Sequence, residues 1–369
     1  MALDVYAPMA QRLDADRAPF PLEERLRLGE LGFLGICHAV EFGGTDGRLT
    51  EALAVIEELA KECRPAAFQV FEANTGPAQV INRLGTDEQR ARWLPDVVSG
   101  RSTIAVGISE PDAGSAATDM RTTGTRIDGG YRLRGTKRWI SNGGEADKYL
   151  VYARLADEPG AKGIGAVVVD KNAPGLSFGA PERLMGFRGI PSADVILDDV
   201  EVADSDIVVA PGNFRTLFSA FSIERLGNAT MSLAIGQAAL DRSLAYVQQR
   251  EQFGKPLIEF QTVQTMIADM ALQVEAARLL IQRAAANTPP GGLPRSYEVS
   301  LAKCTANEMA KRVSDLAMQV HGGNGYTEEY GLERLHRDAH GWAIAGGTPA
   351  MQRTRIVSEL LGRTFDQRR

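Results

Sequence analysis

The 369-residue sequence predicts a mainly α-helical fold with a β domain inserted between two helical ones. Three observations carry this. Apolar residues recur at helical spacing near both ends of the chain. Between about residues 103 and 211 the apolar period falls to two, the mark of half-buried strands. Beyond 212, long helical stretches follow one another across short breaks, as in an up-and-down bundle. The expected domains are therefore 1–102, helical; 103–211, β; and 212–369, a helical bundle.

Each element has a local reason. Pro21 followed by Leu-Glu-Glu-Arg-Leu suits a helix that starts at a proline and ends at glycine. Leu53, Ile56 and Leu59 share one face of a helix over Leu49 to Cys63. Thr86, with Asp87, Glu88 and Gln89 behind it, reads as a capped helix start. Tyr131 to Ile140 and Ala193 to Leu197 alternate as strands, while Tyr149 to Leu155 and Ile164 to Val169 read as buried ones. One long helix is expected over Asn213 to Glu251, with Gly227 and Gly236 as kink points. Others follow at Leu257 to Asn287, Arg295 to Val320 and Met351 to Gly362. Thr348 is a good cap for the last.

Composition excludes several classes. The chain is 44% hydrophobic and 24% charged, as in an ordinary globular protein. Its net charge is -6 and no basic block interleaves with aromatics, which argues against nucleic acid. No apolar run of about 18 residues is present to span a membrane, and the first residues lack a secretory pattern. Cys37, Cys63 and Cys304 are scattered, without metal spacing, and fit reduced thiols in a cytoplasmic protein. His336 and His340, four apart, lack a HExxH context, so no metal is expected. No GxGxxG follows a strand, which argues against a nicotinamide site.

Chemistry-bearing residues concentrate in a few stretches. Met318-Gln-Val-His-Gly-Gly-Asn-Gly-Tyr326 allows a tight turn and close backbone approach to a ligand. Gly346-Gly347-Thr348 breaks the helical pattern again. Ile108-Ser-Glu-Pro-Asp-Ala-Gly-Ser115 is a polar loop at the entrance of the β region, and Trp139-Ile-Ser-Asn-Gly143 follows about 30 residues on. Arg250-Glu-Gln-Phe-Gly254 precedes Phe260-Gln261, and an arginine's fork of donors suits phosphate.

These motifs, in this order along nearly the whole chain, resemble those of the acyl-CoA dehydrogenases, flavoenzymes that desaturate acyl thioesters at Cα–Cβ. The resemblance implies an N-terminal helical domain, a β-barrel-like middle domain and a C-terminal four-helix bundle. It implies FAD as cofactor. Ile108, Ser109, Trp139 and Ser141 would lie at the flavin ring. Gln319, Gly322 and Gly323 would approach its diphosphate and ribose, and Thr348 would also belong to the flavin site. Arg250, Phe253 and Gln261 would reach the FAD of a neighbouring subunit, in a homotetramer. Ser115, Phe221 and Arg225 would contact the thioester and its carrier. Electrons would pass to an electron-transfer flavoprotein.

One departure is informative. Most of the family carries its catalytic glutamate immediately before the Gly-Thr pair; here that position is Gly346. Glycine takes no proton. The best remaining carboxylate is Glu224, in Phe221-Ser-Ile-Glu-Arg-Leu-Gly-Asn228. No cation stands three or four residues from it, so it is no ordinary helix-surface ion pair. Apolar and small neighbours would desolvate it and raise its pKa, as suits a general base. The isovaleryl-CoA and long-chain branch of the family places its base in a Glu-Arg-Leu segment of this helix, and Glu224-Arg225-Leu226 matches it. The Gly346 N–H would still bind the thioester carbonyl. An empty position 346 leaves room for a branched or bulky acyl chain.

The expected activity is α,β-dehydrogenation of an acyl-CoA. Ala116, Ser222, Pro349 and Ala350 replace residues typical of the family, which keeps open an acyl-carrier-protein thioester as substrate. A non-catalytic flavin-binding subunit of a mixed tetramer and a flavin monooxygenase on this fold are the remaining alternatives.

Overall fold

The computed structural model describes residues 2–289 and 291–365. Six α-helices come first: α1 (Ala7–Asp16), α2 (Leu22–Glu30), α3 (Leu49–Glu62), α4 (Arg64–Asn74), α5 (Pro77–Leu84) and α6 (Asp87–Val98). The local signals act as read. Pro21 stands at the start of α2 in extended conformation, and Gly32 follows its end in the left-handed region. The Thr86 hydroxyl accepts from the Gln89 N–H at 3.2 Å, and the Gln89 side chain accepts from the Thr86 N–H at 3.0 Å, a reciprocal cap.

Strands follow: β1 (Ile104–Gly107), β2 (Thr123–Ile127), β3 (Gly130–Ser141), β4 (Lys148–Arg154), β5 (Ile164–Asp170), β6 (Leu176–Phe178), β7 (Ser192–Ala203) and β8 (Ile207–Val209). They form one eight-stranded sheet in the order β6-β7-β3-β2-β4-β5-β8, with β1 parallel to β4. Leu133, Val151, Val167, Val195 and Leu197 point into one apolar core of the sheet. The long β3–β7 pairing shifts register between Lys137 and Ile140. At that irregularity Trp139 takes φ 62° and turns outward, with half its surface exposed (54%).

The remaining helices are α7 (Phe214–Ser219), α8 (Phe221–Gln249), α9 (Gln261–Ala286), α10 (Ser296–His321), α11 (Leu332–Ile344) and α12 (Pro349–Leu361), with a two-stranded ribbon, β9 (Glu251–Gln252) and β10 (Lys255–Pro256), before α9. The single helix expected over 213–251 is two. It breaks at Ala220, and the helix runs on through Gly227 and Gly236. These glycines serve close packing. A Cβ on Gly236 would strike Met309 of α10, and one on Gly227 would strike Phe71 of α4 and Thr75 just past its end. Helix α8 is thereby the buried axis on which α3, α4, α9 and α10 pack. Trp342 of α11 closes the core against Phe68, Phe71 and Phe187, and a buried Arg64–Asp338 ion pair ties α4 to α11. Among the described residues no helix is long and apolar enough to cross a membrane.

Candidate active site

Glu224 lies in the first turn of α8, and Gly346 lies in the bend between α11 and α12. A Cβ built on Gly346 would stand 2.8 Å from Glu224 Oε2 and 3.0 Å from Oε1. The carboxylate from one helix thus fills the space where a side chain from the other element would begin. Gly346 has φ 66° and Gly347 φ 92°, left-handed values that glycine adopts without strain.

The bend is pinned by side chains from two helices. Lys303 of α10, fully buried, donates to the Ala345 carbonyl at 2.9 Å and to Asn307 Oδ1 at 2.8 Å. Asn228 Nδ2 also donates to the Ala345 carbonyl, at 3.3 Å, and Asn307 in turn donates to Asn228 and Ser232. Arg225 Nε donates to the Gly346 carbonyl at 3.1 Å while its guanidinium covers the rings of Phe218 and Phe221.

Burial raises the Glu224 carboxyl above the ordinary carboxylate value, and the cations Lys303 and Arg225 oppose that rise. Burial pushes Lys303 down to about 8, with Glu224 pulling it back up. Glu72 of α4, half-buried, feels the Glu224 charge. Burial first, and then the Glu224 charge, push it well up. Two cations oppose the rise at Glu224, whereas burial and the Glu224 charge both act upward on Glu72. The Glu224 Oε2 atom and the Tyr152 hydroxyl are buried without a hydrogen-bond partner among the described residues. An anion or a reactive proton acceptor is what such an arrangement leaves available.

A second group surrounds Trp139. The Ser109 carbonyl accepts from the Arg138 N–H at 2.8 Å, and Lys137 Nζ reaches the Ile108 carbonyl at 3.3 Å. Ser141 pairs with Ser192 beside the bulge. Sequence reasoning missed what holds this loop: Glu110, buried, accepts from Lys137 Nζ at 2.7 Å and from the Arg121 and Thr122 N–H groups at 2.5 and 2.9 Å. The signal was available as the acid of the Ser-Glu-Pro motif, but its partner lies on another strand.

A third group lines an open cleft of about 410 Å³: Arg250, Gln319, Gly322 and Gly323, with Tyr246, His321 and Asn324. Gly322 has φ 60°, and a Cβ on either Gly322 or Gly323 would meet nothing, so bare backbone faces the cleft. Phe253 and Gln261 stand nearby in sequence but on the surface, Phe253 almost wholly exposed (94%). Ser115 is exposed in its loop. Thr348 Oγ1 caps α12 by accepting from the Met351 N–H at 3.4 Å. Phe221 stacks on Phe218 at 5.4 Å, one turn before Glu224.

Comparison with known proteins covers the whole chain. The profiles described as "Acyl-CoA dehydrogenase, N-terminal domain", "middle domain" and "C-terminal domain" match residues 1–101, 105–200 and 214–361. A 3-sulfinopropanoyl-CoA desulfinase of Paraburkholderia xenovorans is 38% identical, over 100% of this chain and 95% of that protein. The solved butyryl-CoA dehydrogenase of Megasphaera elsdenii superposes with a TM-score of 0.93 at 32% identity, over 98% of this chain and 95% of the other. The structure of PigA with FAD and proline superposes at 0.92 with 26% identity, over 98% and 94%.

Proposed function

The chain belongs to the acyl-CoA dehydrogenase family, and we propose that within it this protein is an α,β-dehydrogenase of an acyl thioester with Glu224 as its base. The family is FAD-dependent, and the residues here fit that group. A cleft lined by an arginine and by glycine backbone with nothing over it suits a diphosphate. An outward-turned tryptophan suits a flat ring system. Arg250, Gln319, Gly322 and Gly323 would hold the diphosphate side, and Ile108, Ser109, Trp139, Ser141 and Thr348 the ring side. Bound there, FAD supplies the acceptor for the β-hydride.

The chain's own residues do the rest. Glu224 takes the α-proton. Burial raises its pKa towards that of its task, while Lys303 and Arg225 favour the ionised form. The Gly346 N–H meets the thioester oxygen as negative charge gathers there, a role that needs only backbone. The side chains on the Ala345 and Gly346 carbonyls hold that N–H in place. Phe221 and Arg225 border the thioester, and Ser115 its carrier.

The observation that supports this reading best is the 2.8 Å between Glu224 Oε2 and the vacant side-chain position of Gly346. Position 346 adds no side chain of its own beyond that carboxylate to crowd a branched or bulky acyl chain. Anaerobic bleaching of the flavin by a panel of straight and branched acyl-CoAs tests it. Glu224→Gln should lose at least about 10²- to 10⁴-fold. Bleaching that survives the substitution rejects Glu224 as the base.

A carrier-protein thioester is the second reading. Ala116, Ser222, Pro349 and Ala350, in place of residues typical of CoA-using members, favour it. Turnover on matched CoA and carrier-protein thioesters separates the two. We further place domain boundaries near 102/103 and 211/212, a homotetramer as the active form, and an electron-transfer flavoprotein as the acceptor of electrons in the cytoplasm.

A further inference from the structure

Helix α11 begins without a side-chain cap. Gly331, the residue before Leu332, has φ 63° and offers nothing to the N–H groups of the first turn. Among the described residues no carbonyl before the helix accepts from the Leu332, Glu333 or Arg334 N–H. A Cβ built on Gly331 would stand 3.0 Å from Arg242 Nη1 and 3.7 Å from Arg334 Nη2, and outside its chain neighbours nothing else comes within 4 Å. Two guanidiniums, one from α8 and one from α11, thus converge on one vacant position at a helix N-terminus. Gly331 is only half-buried, so solvent reaches the bend.

The two arginines differ. Arg242 is committed: Nη1 donates to the Tyr330 and Gly331 carbonyls at 3.3 and 3.2 Å, and Nη2 lies 3.9 Å from Glu62. Arg334 is 8% exposed, and its Nε is buried without a partner. Among the described residues it makes no hydrogen bond or ion pair. The carboxylates around it answer to other groups. Asp338 accepts from Arg64 Nε and the Phe187 N–H, Asp14 from Arg337 and Arg188, and Glu333 Oε1 from Arg337. Glu333 Oε2 is buried without a partner, so it does not bond to Arg334 either. Burial holds the Arg334 guanidinium down to about 10; Arg64 and Arg242 act the same way, and Asp338 and Asp14 oppose them. Buried cations are normally paired. One that points at an uncapped helix N-terminus, beside a second guanidinium, calls for an anion from outside the chain.

We propose that the start of α11 is a binding site for a phosphate group, with Arg334 as its main donor, Arg242 as a second positive charge and the first-turn N–H groups completing it. A tetrahedral phosphate presents oxygens to the guanidinium fork and to the N–H groups at once. Free phosphate and a phosphate ester on a small molecule share that chemistry. The site is separate from the open cleft, whose lining includes none of Arg242, Gly331 and Arg334. This goes beyond the dehydrogenase reading and does not depend on it.

Calorimetric titration of the FAD-loaded protein, its Arg250 cleft filled, tests the site with inorganic phosphate and with AMP. Chloride at matched ionic strength is the reference. At least one probe should bind and raise the melting temperature above the reference, and the tighter one names the source. Arg334→Gln and Arg242→Gln should each weaken binding at least about tenfold, as expected for loss of a hydrogen bond to a charged group. Arg334→Lys should retain part of it. In chloride alone Arg334→Gln should melt no lower than the wild type, because it removes a buried charge that has no partner. Binding of neither probe overturns the proposal. So does binding that survives both glutamine substitutions, or a fall in melting temperature for Arg334→Gln that is the same in phosphate as in chloride.

Discussion

Glu224 and Gly346 are complementary: the carboxylate of one occupies the space that any side chain on the other would enter, 2.8 Å from its Cβ position. A single methyl is therefore a sharp probe. Gly346→Ala must displace the carboxylate, and it places an L-residue at φ 66°, at a conformational cost of about 1–2 kcal/mol. Turnover should fall at least about tenfold, because a misplacement of about an ångström can cost far more than that. Stopped-flow bleaching beside a thermal melt checks this. Full activity with an unchanged melt would mean that Glu224 does not work against this bend.

Lys303 sets the charge on that pair from a distance in sequence of 79 residues, reckoned from 224 to 303. It is the stronger of the two cations acting on Glu224 and holds the Ala345 carbonyl at 2.9 Å. Lys303→Met removes a positive charge that favours ionised Glu224, so the Glu224 pKa rises further. The base must be ionised to act, so the acid limb of the pH profile of kcat/KM should move to higher pH. Lys303→Arg should restore the limb in part. A merely structural lysine would lower the melting temperature and leave the limb where it was.

The sequence and the structure meet unevenly, and the reason is physical. Patterns within one element were legible: the Thr86 cap, the alternation of β3 and β7, and the glycine breaks around α11 are set by neighbours a few residues away. The opposition of Glu224 and Gly346 was legible only through resemblance, because 122 positions separate them. Lys303 was not singled out at all. It is an ordinary residue on its own helix, and acquires its role from packing against α8. Gly227 and Gly236 misled in the other direction. Read alone they suggest kinks; in place they let α4 and α10 approach.

Glu110 and Lys137 illustrate the same limit and give a stability prediction. The pair is buried at 2.7 Å, and burial lowers Lys137 to about 8 while Glu110 pulls it back up. Glu110→Ala leaves the lysine buried and unpaired and should destabilise by about 3–5 kcal/mol. It should also loosen the Ile108–Ser109 loop, so flavin retention on gel filtration should drop. The pH sign follows from the glutamate. Its folded pKa lies below the ordinary carboxylate value through its hydrogen bonds and Lys137, against the opposing push of burial. Its stabilisation is thus present at neutral pH and lost as pH falls through that range. Urea titrations at pH 7 and pH 4 should show a wild-type loss that Glu110→Gln largely lacks.

Phe253 gives the last prediction. It is 94% exposed, at φ 53°, on the short β9–β10 turn, with its ring edge-on to Phe260 at 6.0 Å. A large apolar side chain on a turn, held in a conformation costly for a non-glycine residue, needs a return that the isolated chain does not supply. Arg250 lies three residues before it and lines the open cleft. If the turn inserts into a second subunit beside that subunit's cofactor, Phe253→Ser removes a buried anchor of the kind that dominates interfaces. Light scattering should then show a smaller assembly than the wild type forms, with flavin content falling in the same fractions. A variant that stays assembled and fully flavinylated would show that the turn serves neither subunit contact nor cofactor.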